Sequence, residues 1–427
     1  MTEVKTNQSL QTYLVGGAVR DQLLNYAPKD KKQESDWVVV GSTPEQMLAL
    51  GYQQVGKDFP VFLHPKTHDE YALARTERKD GVGYHGFTMH ASPDVTLEED
   101  LYRRDLTINA IAMDSEGTLI DPYDGQSDIR NKLLRHVSTH FSEDPLRLLR
   151  VARFAARFHH LGFSVADDTM VLLKEITESG ELKTLSVERI WTETDKALAE
   201  QDPDIYFQVL HDCGALAQVF PEIEALYGVP NPVQWHPEVD SGIHTMMVLK
   251  QSALLNPDPK IRFAALCHDL GKGVTPKEFW PKHRGHEHAG VRIIKQLANR
   301  LKIPNEYRDL ACLGSEFHLH AHKALELKPQ TLLKVLNQFD FFRRPERFTY
   351  FMDICEADFR GRTGFEDKHY PQRDFFEHIA SVCSTVKIDQ AHIDSLQGKE
   401  RGEYIEQQRL ARIKEAKESY IASEVTD

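Results

Sequence analysis

Glu34 and Asp36 stand two residues apart at the mouth of the apolar run Trp37 to Val40. If that run is a strand, period-two alternation puts both carboxylates on one face. Such a pair can hold Mg²⁺ ions that activate an attacking hydroxyl and stabilise a departing pyrophosphate. Taken by itself, the pair reads equally well as a solvated loop edge. Upstream, Gly16-Gly17 ends an apolar segment, Tyr13 to Val15, and opens a helical one, Ala18 to Asn25. Glycines at such a junction let backbone amides approach an anion, and Arg20 follows them. Further on, Arg103-Arg104-Asp105 precedes Leu106 to Ala110. Guanidinium forks match phosphate oxygens bidentately, while Asp105 and Asn109 can read sugar hydroxyls or orient the arginines. Each group alone is an ordinary turn or a surface ion-pair cluster; together they describe a grip for a nucleoside triphosphate.

Asp144-Pro145 has the form of an N-cap followed by proline at the first helical position. Within that helix Arg147, Arg150, Arg153 and Arg157 recur at helical spacing and share an arc of roughly 120°. Val151, Phe154, Ala155 and Phe158 fall mainly on the other side. A solvated amphipathic helix accounts for the stripe, yet four arginines without a lysine suit planar, multidentate recognition. A second chemistry is suggested by His268-Asp269, which ends a helix before Gly271-Lys272-Gly273, with His244 on the preceding helix and Asp358 further on. Imidazole and carboxylate donors suit divalent transition metals and metal-assisted hydrolysis. His286, His288 and His318 read equally well as exposed loop or core histidines.

These residues need at least two cores to position them. The 427 residues exceed what one hydrophobic core usually supports. Strand candidates at Tyr13 to Val15, Trp37 to Val40, Val61 to Leu63, Tyr71 to Ala74 and Ile111 to Met113 make the chain α/β up to Asp128, and helical periodicity dominates beyond Asp144. The prolines of the Pro230 to Pro237 stretch are the strongest break in the helical part. With 52 Lys and Arg against 65 Asp and Glu, the net charge is −13, so any contact with nucleic acid must use a local basic face. Arg189, Lys196, Arg343, Arg344 and Arg347 are candidates for phosphate contact. Five scattered cysteines without a CxxC pair indicate neither a zinc ribbon nor a disulfide framework. A polar N-terminus and the lack of a long apolar run point to a cytoplasmic protein with no membrane partner.

In order and spacing the motifs resemble those of the class II tRNA nucleotidyltransferases, the CCA-adding enzymes of the polymerase-β-like nucleotidyltransferase superfamily. The resemblance rests on GGAVRD at Gly16, DWVVVGSTPEQM at Asp36, GKDFPVF at Gly56, YALARTERK at Tyr71, RRDLTINA at Arg103, DPYDG at Asp121 and EDPLRLLRVARFAARF at Glu143. The region from Gly242 onward is similar to the HD domain of the extended bacterial form. The fold so implied is α+β followed by α: a nucleotidyltransferase head with a small mixed sheet and flanking helices over residues 1–138, then a helical neck and body over 139–235, an HD phosphohydrolase domain over 236–360 and a helical tail over 361–427.

The resemblance implies that Glu34 and Asp36 bind catalytic Mg²⁺, and that Gly17, Arg20, Arg104, Arg150 and Arg153 hold triphosphate and sugar, with Asp105 and Asn109 in the same nucleotide site. It implies that Asp144 and Arg147, in the motif beginning at Glu143, imitate a complementary base and select CTP or ATP. The segment Lys79 to Phe87 corresponds to a flexible loop that accompanies the switch from C to A. His244, His268, Asp269 and Asp358 match the HD metal pattern, with Ni²⁺ or another divalent transition metal, and with 2′,3′-cyclic phosphodiesterase, 2′-nucleotidase and phosphatase activity. The implied partners are tRNA, CTP and ATP; monomer and homodimer both stay open. Asp30 competes with Glu34 for the first Mg²⁺ position, and Glu34 is preferred because both ligands are needed at the strand mouth. The rival readings are a poly(A) polymerase and an HD phosphohydrolase with a degenerate RNA-binding head.

Overall fold

A computed structural model describes residues 10–26, 35–55, 61–79, 87–234, 237–386 and 389–424. It divides into two compact units, residues 1–193 with 212–215, and residues 194–211 with 216–427.

The first unit is built on a seven-stranded mixed sheet in the order β3-β4-β5-β2-β1-β8-β9. Its strands are β1 (Gln11–Val15), β2 (Asp36–Val40), β3 (Gln53–Val55), β4 (Val61–Leu63), β5 (Glu70–Leu73), β8 (Ala112–Met113) and β9 (Leu119–Ile120). A separate hairpin pairs β6 (Thr76–Lys79) with β7 (Phe87–His90), and β10 (Leu133–Leu134) pairs in parallel with β11 (Ser164–Val165). The five strand expectations are met to within a residue or two; β3, β9 and the β6–β7 hairpin carry too few apolar residues to stand out as a pattern. Strand β2 runs antiparallel to β1 and parallel to β5. Its unbroken apolar run has a simple cause: successive residues face opposite sides, and both sides are covered. Val38 packs with Val15, Leu101, Ala110 and Ala112, whereas Val39 packs with Met47, Phe62 and Leu73.

The helices of this unit are α1 (Gly17–Leu23), α2 (Pro44–Ala49), α3 (Leu97–Tyr102), α4 (Gly125–Asn131), α5 (Leu146–Phe158), α6 (Asp167–Ser179) and α7 (Val187–Leu198), whose last turn lies in the second unit. Helices α2 and α3 each begin with a full capping box, Thr43 with Gln46 and Thr96 with Glu99.

The second unit is helical: α8 (Pro203–Asp212), α9 (Leu216–Val219), α10 (Pro221–Glu224), α11 (Ser241–Leu255), α12 (Pro259–Cys267), α13 (His286–Arg300), α14 (Asn305–His322), α15 (Pro329–Gln338), α16 (Glu346–Arg360), α17 (Pro371–Ser384), α18 (Gln390–Ser395) and α19 (Lys399–Glu424). Phe317, Leu336, Phe339, Phe351, Phe376 and Ile413 belong to one buried cluster drawn from α14 to α17 and α19. The five cysteines are free, as their spacing implies. Among the described residues no helix is long and apolar enough to cross a membrane.

Candidate functional site

Asp36 begins β2 and lies opposite Val15, the residue before Gly16-Gly17. Strand alternation places it on the face shared by Val38, against which α3 and the Leu106 to Ala110 segment pack. Glu34 and Asp30 lie outside the described residues, as does the glycine-bearing stretch 80–86. Gly16 takes φ +69°, and a Cβ there would come within 3.1 Å of Arg104 Nη1. The glycine pair therefore lets the turn sit against a guanidinium. Gly17 opens α1.

From α1 a line of charged and hydrogen-bonded side chains runs to α7. Arg157 Nη2 donates to Asp21, and Asp21 accepts from Arg20 Nε at 2.8 Å. Arg20 Nη1 donates to Asn109 Oδ1 at 2.5 Å, and Asn109 Nδ2 donates to Asp105 Oδ1 at 3.0 Å. Asp105 Oδ2 accepts from Arg150 Nε at 2.8 Å, and Arg153 Nε donates to Glu193 at 2.7 Å. Arg20 is fully buried and its guanidinium lies over the Phe154 and Phe158 rings. Burial raises the Asp105 carboxyl, but Arg150 and the Asn109 amide outweigh it and hold the acid well below the usual carboxylate range. Burial similarly opposes Asp100, which Arg103 and Arg104 hold below its usual range.

The solvated reading of the arginine stripe is therefore overturned for Arg147 and Arg153, while the Arg150 side chain keeps 35% of its surface exposed. Arg147 and Arg153 are 9% and 8% exposed. Buried guanidiniums need counter-charge and acceptors, supplied by Asp21, Asp105 and Glu193, and for Arg147 by the carbonyls of His140 and Arg103. Asp144 caps α5 as its sequence suggests, accepting from the Leu146 amide, and its other oxygen accepts from Arg189. Arg189, expected as a phosphate contact, is thus a partner of Asp144. Arg343 and Arg344 are exposed and share Asp340; Lys196 is also exposed. Glu193, Asp21 and Asp100 were missed from sequence, since an isolated acid carries no sign of the arginine it will meet.

The second unit brings together all four expected metal residues and adds two more. His244 is in the first turns of α11, His268 caps the end of α12, Asp269 follows it and Asp358 is near the end of α16. His244, His268 and Asp358 form one buried group of possible ligands, and Asp269, His286 and His318 form another. His288 is exposed and stands outside both. His268, His286 and His318 each place Nδ1 at 2.6–2.8 Å from a carbonyl three residues earlier, of Ala265, His283 and Ser315. A ring whose Nδ1–H is used this way turns the lone pair of Nε2 to the opposite side. Asp269 sits between the groups, with Lys272 Nζ 2.6 Å from its Oδ2. Around Asp358, His244 Nε2 lies at 3.0 Å and His322 Nε2 at 2.6 Å, and the other nitrogen of His322 meets the Tyr370 hydroxyl at 2.9 Å. His318 and His322 are one helical turn apart on α14, a spacing that marks a shared face.

The cluster calls for positive charge. Burial lowers the His268 imidazole, but Asp269 and Asp358 overcome it and push the group up to about 9. Both carboxyls are held well below their usual range despite burial, Asp269 by Lys272 and His268, and Asp358 by His268 and His322. His268 Nε2 and Asp269 Oδ1 are buried without a well-formed hydrogen bond. Convergent imidazole and carboxylate groups fit a divalent transition metal, which would take the place of the proton that the carboxylates otherwise hold on His268.

Three family models match in succession: the poly A polymerase head domain over residues 12–135, "Probable RNA and SrmB- binding site of polymerase A" over 162–227, and the HD domain over 242–339. The "Multifunctional CCA protein" of Mannheimia succiniciproducens is 58% identical over 393 residues, 91% of this chain and 93% of that one. Its counterpart in Thioalkalivibrio sulfidiphilus is 56% identical over 408 residues, covering 96% and 99%. Among solved structures, a CCA-adding enzyme in an apo form aligns with TM-score 0.64 at 19% identity over 97% of this chain and 92% of that one, a likeness of fold. The Bacillus stearothermophilus CCA-adding enzyme in complex with CTP aligns with TM-score 0.60 at 25% identity, over 95% and 89%.

Proposed function

The chain belongs to the family of multifunctional CCA proteins, and on that footing we propose a residue-level account of template-independent addition and repair of the tRNA 3′ CCA end. CTP and ATP are the donors and pyrophosphate leaves. The observation that carries this account is the run of contacts from Arg20 through Asn109 and Asp105 to Arg150, which ties the Gly16-Gly17 turn to the arginine-bearing helix.

Asp36, with Glu34, would hold the catalytic Mg²⁺, which supplies Lewis-acid stabilisation of charge on phosphate oxygens. Gly17 brings backbone close to the triphosphate. Arg104, Arg150 and Arg153 present guanidiniums to phosphate and sugar; Asp105, itself held by Asn109, orients Arg150, while Asp100 orients Arg104 and Glu193 orients Arg153. Arg20 is too deeply buried to act by reach alone, and supports the site through Asn109. Asp144 and Arg147 select the base. A carboxylate only accepts hydrogen bonds and a guanidinium only donates, so together they favour the amine-bearing edges of C and A over the carbonyl-bearing edges of U and G.

His244, His268, Asp269 and Asp358 would hold Ni²⁺ or another divalent transition metal, which polarises a phosphoryl oxygen for hydrolysis. The activities proposed there are 2′,3′-cyclic phosphodiesterase, 2′-nucleotidase and phosphatase, suited to damaged RNA ends. Lys272, paired with Asp269 and Asn231, fixes the carboxylate's orientation. Within the two compact units we place a head at 1–138, neck and body at 139–235, the HD domain at 236–360 and a tail at 361–427. The setting is cytoplasmic, with tRNA as the macromolecular partner.

The test is a tRNA ending at the discriminator base, incubated with Mg²⁺ and CTP alone, ATP alone or both, with products resolved to single nucleotides. Two C residues with CTP and one further A with both are expected. Open-ended A tails would make the protein a poly(A) polymerase, and no addition would leave the HD phosphohydrolase as its principal activity.

A further inference from the structure

The motif at Asp121 takes no part in the nucleotide grip described above, yet its tyrosine, Tyr123, faces a cavity of about 390 Å³ in the first unit. Glu98, Glu99, Tyr102, Arg103 and His140 line the same cavity. We propose that it receives the 3′-terminal base of the RNA substrate, stacked on the aromatic side chains, with Glu98 accepting from an exocyclic amine. This rests on the first unit adding nucleotides to an RNA 3′ end.

Three rings from three separate segments meet there. Tyr102 ends α3, Tyr123 lies in the turn between β9 and α4, and His140 belongs to the 3₁₀ turn Thr139–Glu143 before α5. The Tyr102 ring centroid stands 5.7 Å from that of Tyr123 and 5.3 Å from that of His140. Two of the rings are tied from outside the cavity: the Tyr123 hydroxyl donates to the Glu98 carbonyl at 3.0 Å, and His140 Nδ1 lies 2.8 Å from Glu143 Oε1. Tyr102 is held through its backbone, whose carbonyl accepts from Ser138 Oγ at 3.1 Å, and it keeps 38% of its surface exposed. A preset and partly open aromatic wall offers apolar area to a flat ligand at little entropic cost. Every nucleobase presents a π-face to such a wall.

The charges around the cavity disfavour an anion and favour a neutral ligand that donates hydrogen bonds. Glu99 is spent on the α3 cap, where its Oε2 accepts from the Thr96 amide and hydroxyl at 2.8 and 2.9 Å. Arg103 is neutralised by Asp100, with Nη2 2.7 Å from Oδ1. Glu98 is exposed, so its carboxylate sets the polarity of the cavity. An acceptor-only group repels phosphate and pairs with an amine, which cytosine and adenine carry and uracil lacks. The volume falls within the roughly 300–1,000 Å³ of small-ligand sites, room for a base but not for a helical stem.

Two links place the cavity beside the nucleotide site. Asp100 divides its oxygens: Oδ1 holds Arg103 on the cavity side, and Oδ2 holds, at 3.2 Å, Arg104, the guanidinium that sits against Gly16. Arg147, proposed to read the incoming base, donates to the His140 carbonyl at 2.9 Å and to the Arg103 carbonyl at 2.7 Å. Both acceptors belong to residues whose side chains line the cavity. A base seated there adjoins the donor nucleotide, where the attacking 3′ end must lie, and touches the residues that orient Arg147.

Base fluorescence tests the proposal without relying on activity. Full-length protein is titrated, without triphosphates, into a minihelix RNA whose single-stranded 3′ end terminates in 2-aminopurine, which dims on stacking. The unaltered protein should quench it. Tyr102→Ala should leave the bound RNA bright and weaken its binding by roughly 5- to 150-fold, the range of one base–aromatic stack, whereas Tyr102→Trp should retain quenching and affinity. In CTP addition Tyr102→Ala should raise KM for the RNA and leave KM for CTP unchanged. Glu98→Ala should reduce the preference of the unaltered protein for a terminal C over a terminal U. Circular dichroism establishes that each variant is folded, and Tyr102→Leu replaces the alanine variant if that one is not. Equal quenching and equal RNA affinity in all Tyr102 variants, with normal addition, would overturn the cavity as a base site and leave nucleotide addition standing. A KM for CTP that rises with the KM for RNA would also overturn it, and an unchanged preference in Glu98→Ala would overturn the amine contact. Failure of the unaltered protein to extend any RNA would overturn the underlying reading of the first unit instead.

Discussion

Arg189 donates from Nη2 to Asp144 Oδ2 at 2.9 Å, with the two side chains only 24% and 21% exposed. The carboxylate proposed to read the nucleobase is thus held from two sides, by this guanidinium and by the Leu146 amide. A charge-assisted hydrogen bond of this kind contributes about 1.5–3 kcal/mol, equivalent to roughly 10- to 100-fold in rate if lost in the transition state. Arg189→Ala should therefore lower kcat/KM for CTP and ATP by that factor and raise misincorporation of UTP and GTP. Single-nucleotide extension assays with each triphosphate measure both. Unchanged selectivity would remove Arg189 from base recognition.

Asp105 links pH to stability. Its carboxyl is held below the usual range in the folded chain, so the stabilisation is fully present above the unfolded value near 3.9 and is lost as pH falls through the lower folded value. Thermal melts should show an acid limb beginning near about pH 4 to which Asp105 contributes. Asp105→Asn should be less stable at pH 7 by roughly 2 kcal/mol, below the figure for a fully buried pair because Arg150 is 35% exposed. Its acid limb should be shallower than that of the parent.

Asp36→Ala should reduce nucleotide addition by about 1,000-fold or more, since metal stabilisation of the transition state is worth several kcal/mol. Metal-dependent phosphatase activity of the same protein should be unchanged. In parallel, Glu34→Ala should match Asp36→Ala, whereas Asp30→Ala should stay active; the reverse pattern would move the first Mg²⁺ ligand to Asp30.

Gly271→Ala would force the new Cβ against the His286 carbonyl. Overpacking at a backbone contact costs about 1–3 kcal/mol or more, so a lower midpoint in urea unfolding is expected together with weaker metal retention. A variant with parental stability would show that the turn yields without cost.

Tyr370→Phe removes the hydroxyl that meets His322, whose other nitrogen lies against Asp358. Loss of an outer partner of a metal ligand typically weakens affinity about 10- to 100-fold. Competition against a chelating indicator, with Mn²⁺ as the titrant, should show that loss, and His322→Ala should show at least as much.

The central strands were legible because β2 is buried on both faces and so spells an unbroken apolar run. The cap of α5 was legible because Asp144-Pro145 is a local device whose partner is only two residues away. The His268-Asp269 pair and its turn were legible for the same reason. Other features were decided only in three dimensions. Whether the arginines of α5 face water or acids depends on Asp21, Asp105 and Glu193, which come from α1, the segment after α3, and α7. Whether His286 and His318 are ordinary core histidines or members of a donor cluster depends on how α13 and α14 meet the Asp269 turn. The sequence by itself determined the residues able to do chemistry and the local elements that carry them, because propensity and capping act over a few positions. The tertiary structure decided which charges neutralise one another and which lone pairs converge, because electrostatics and desolvation act through space, between residues up to 136 positions apart.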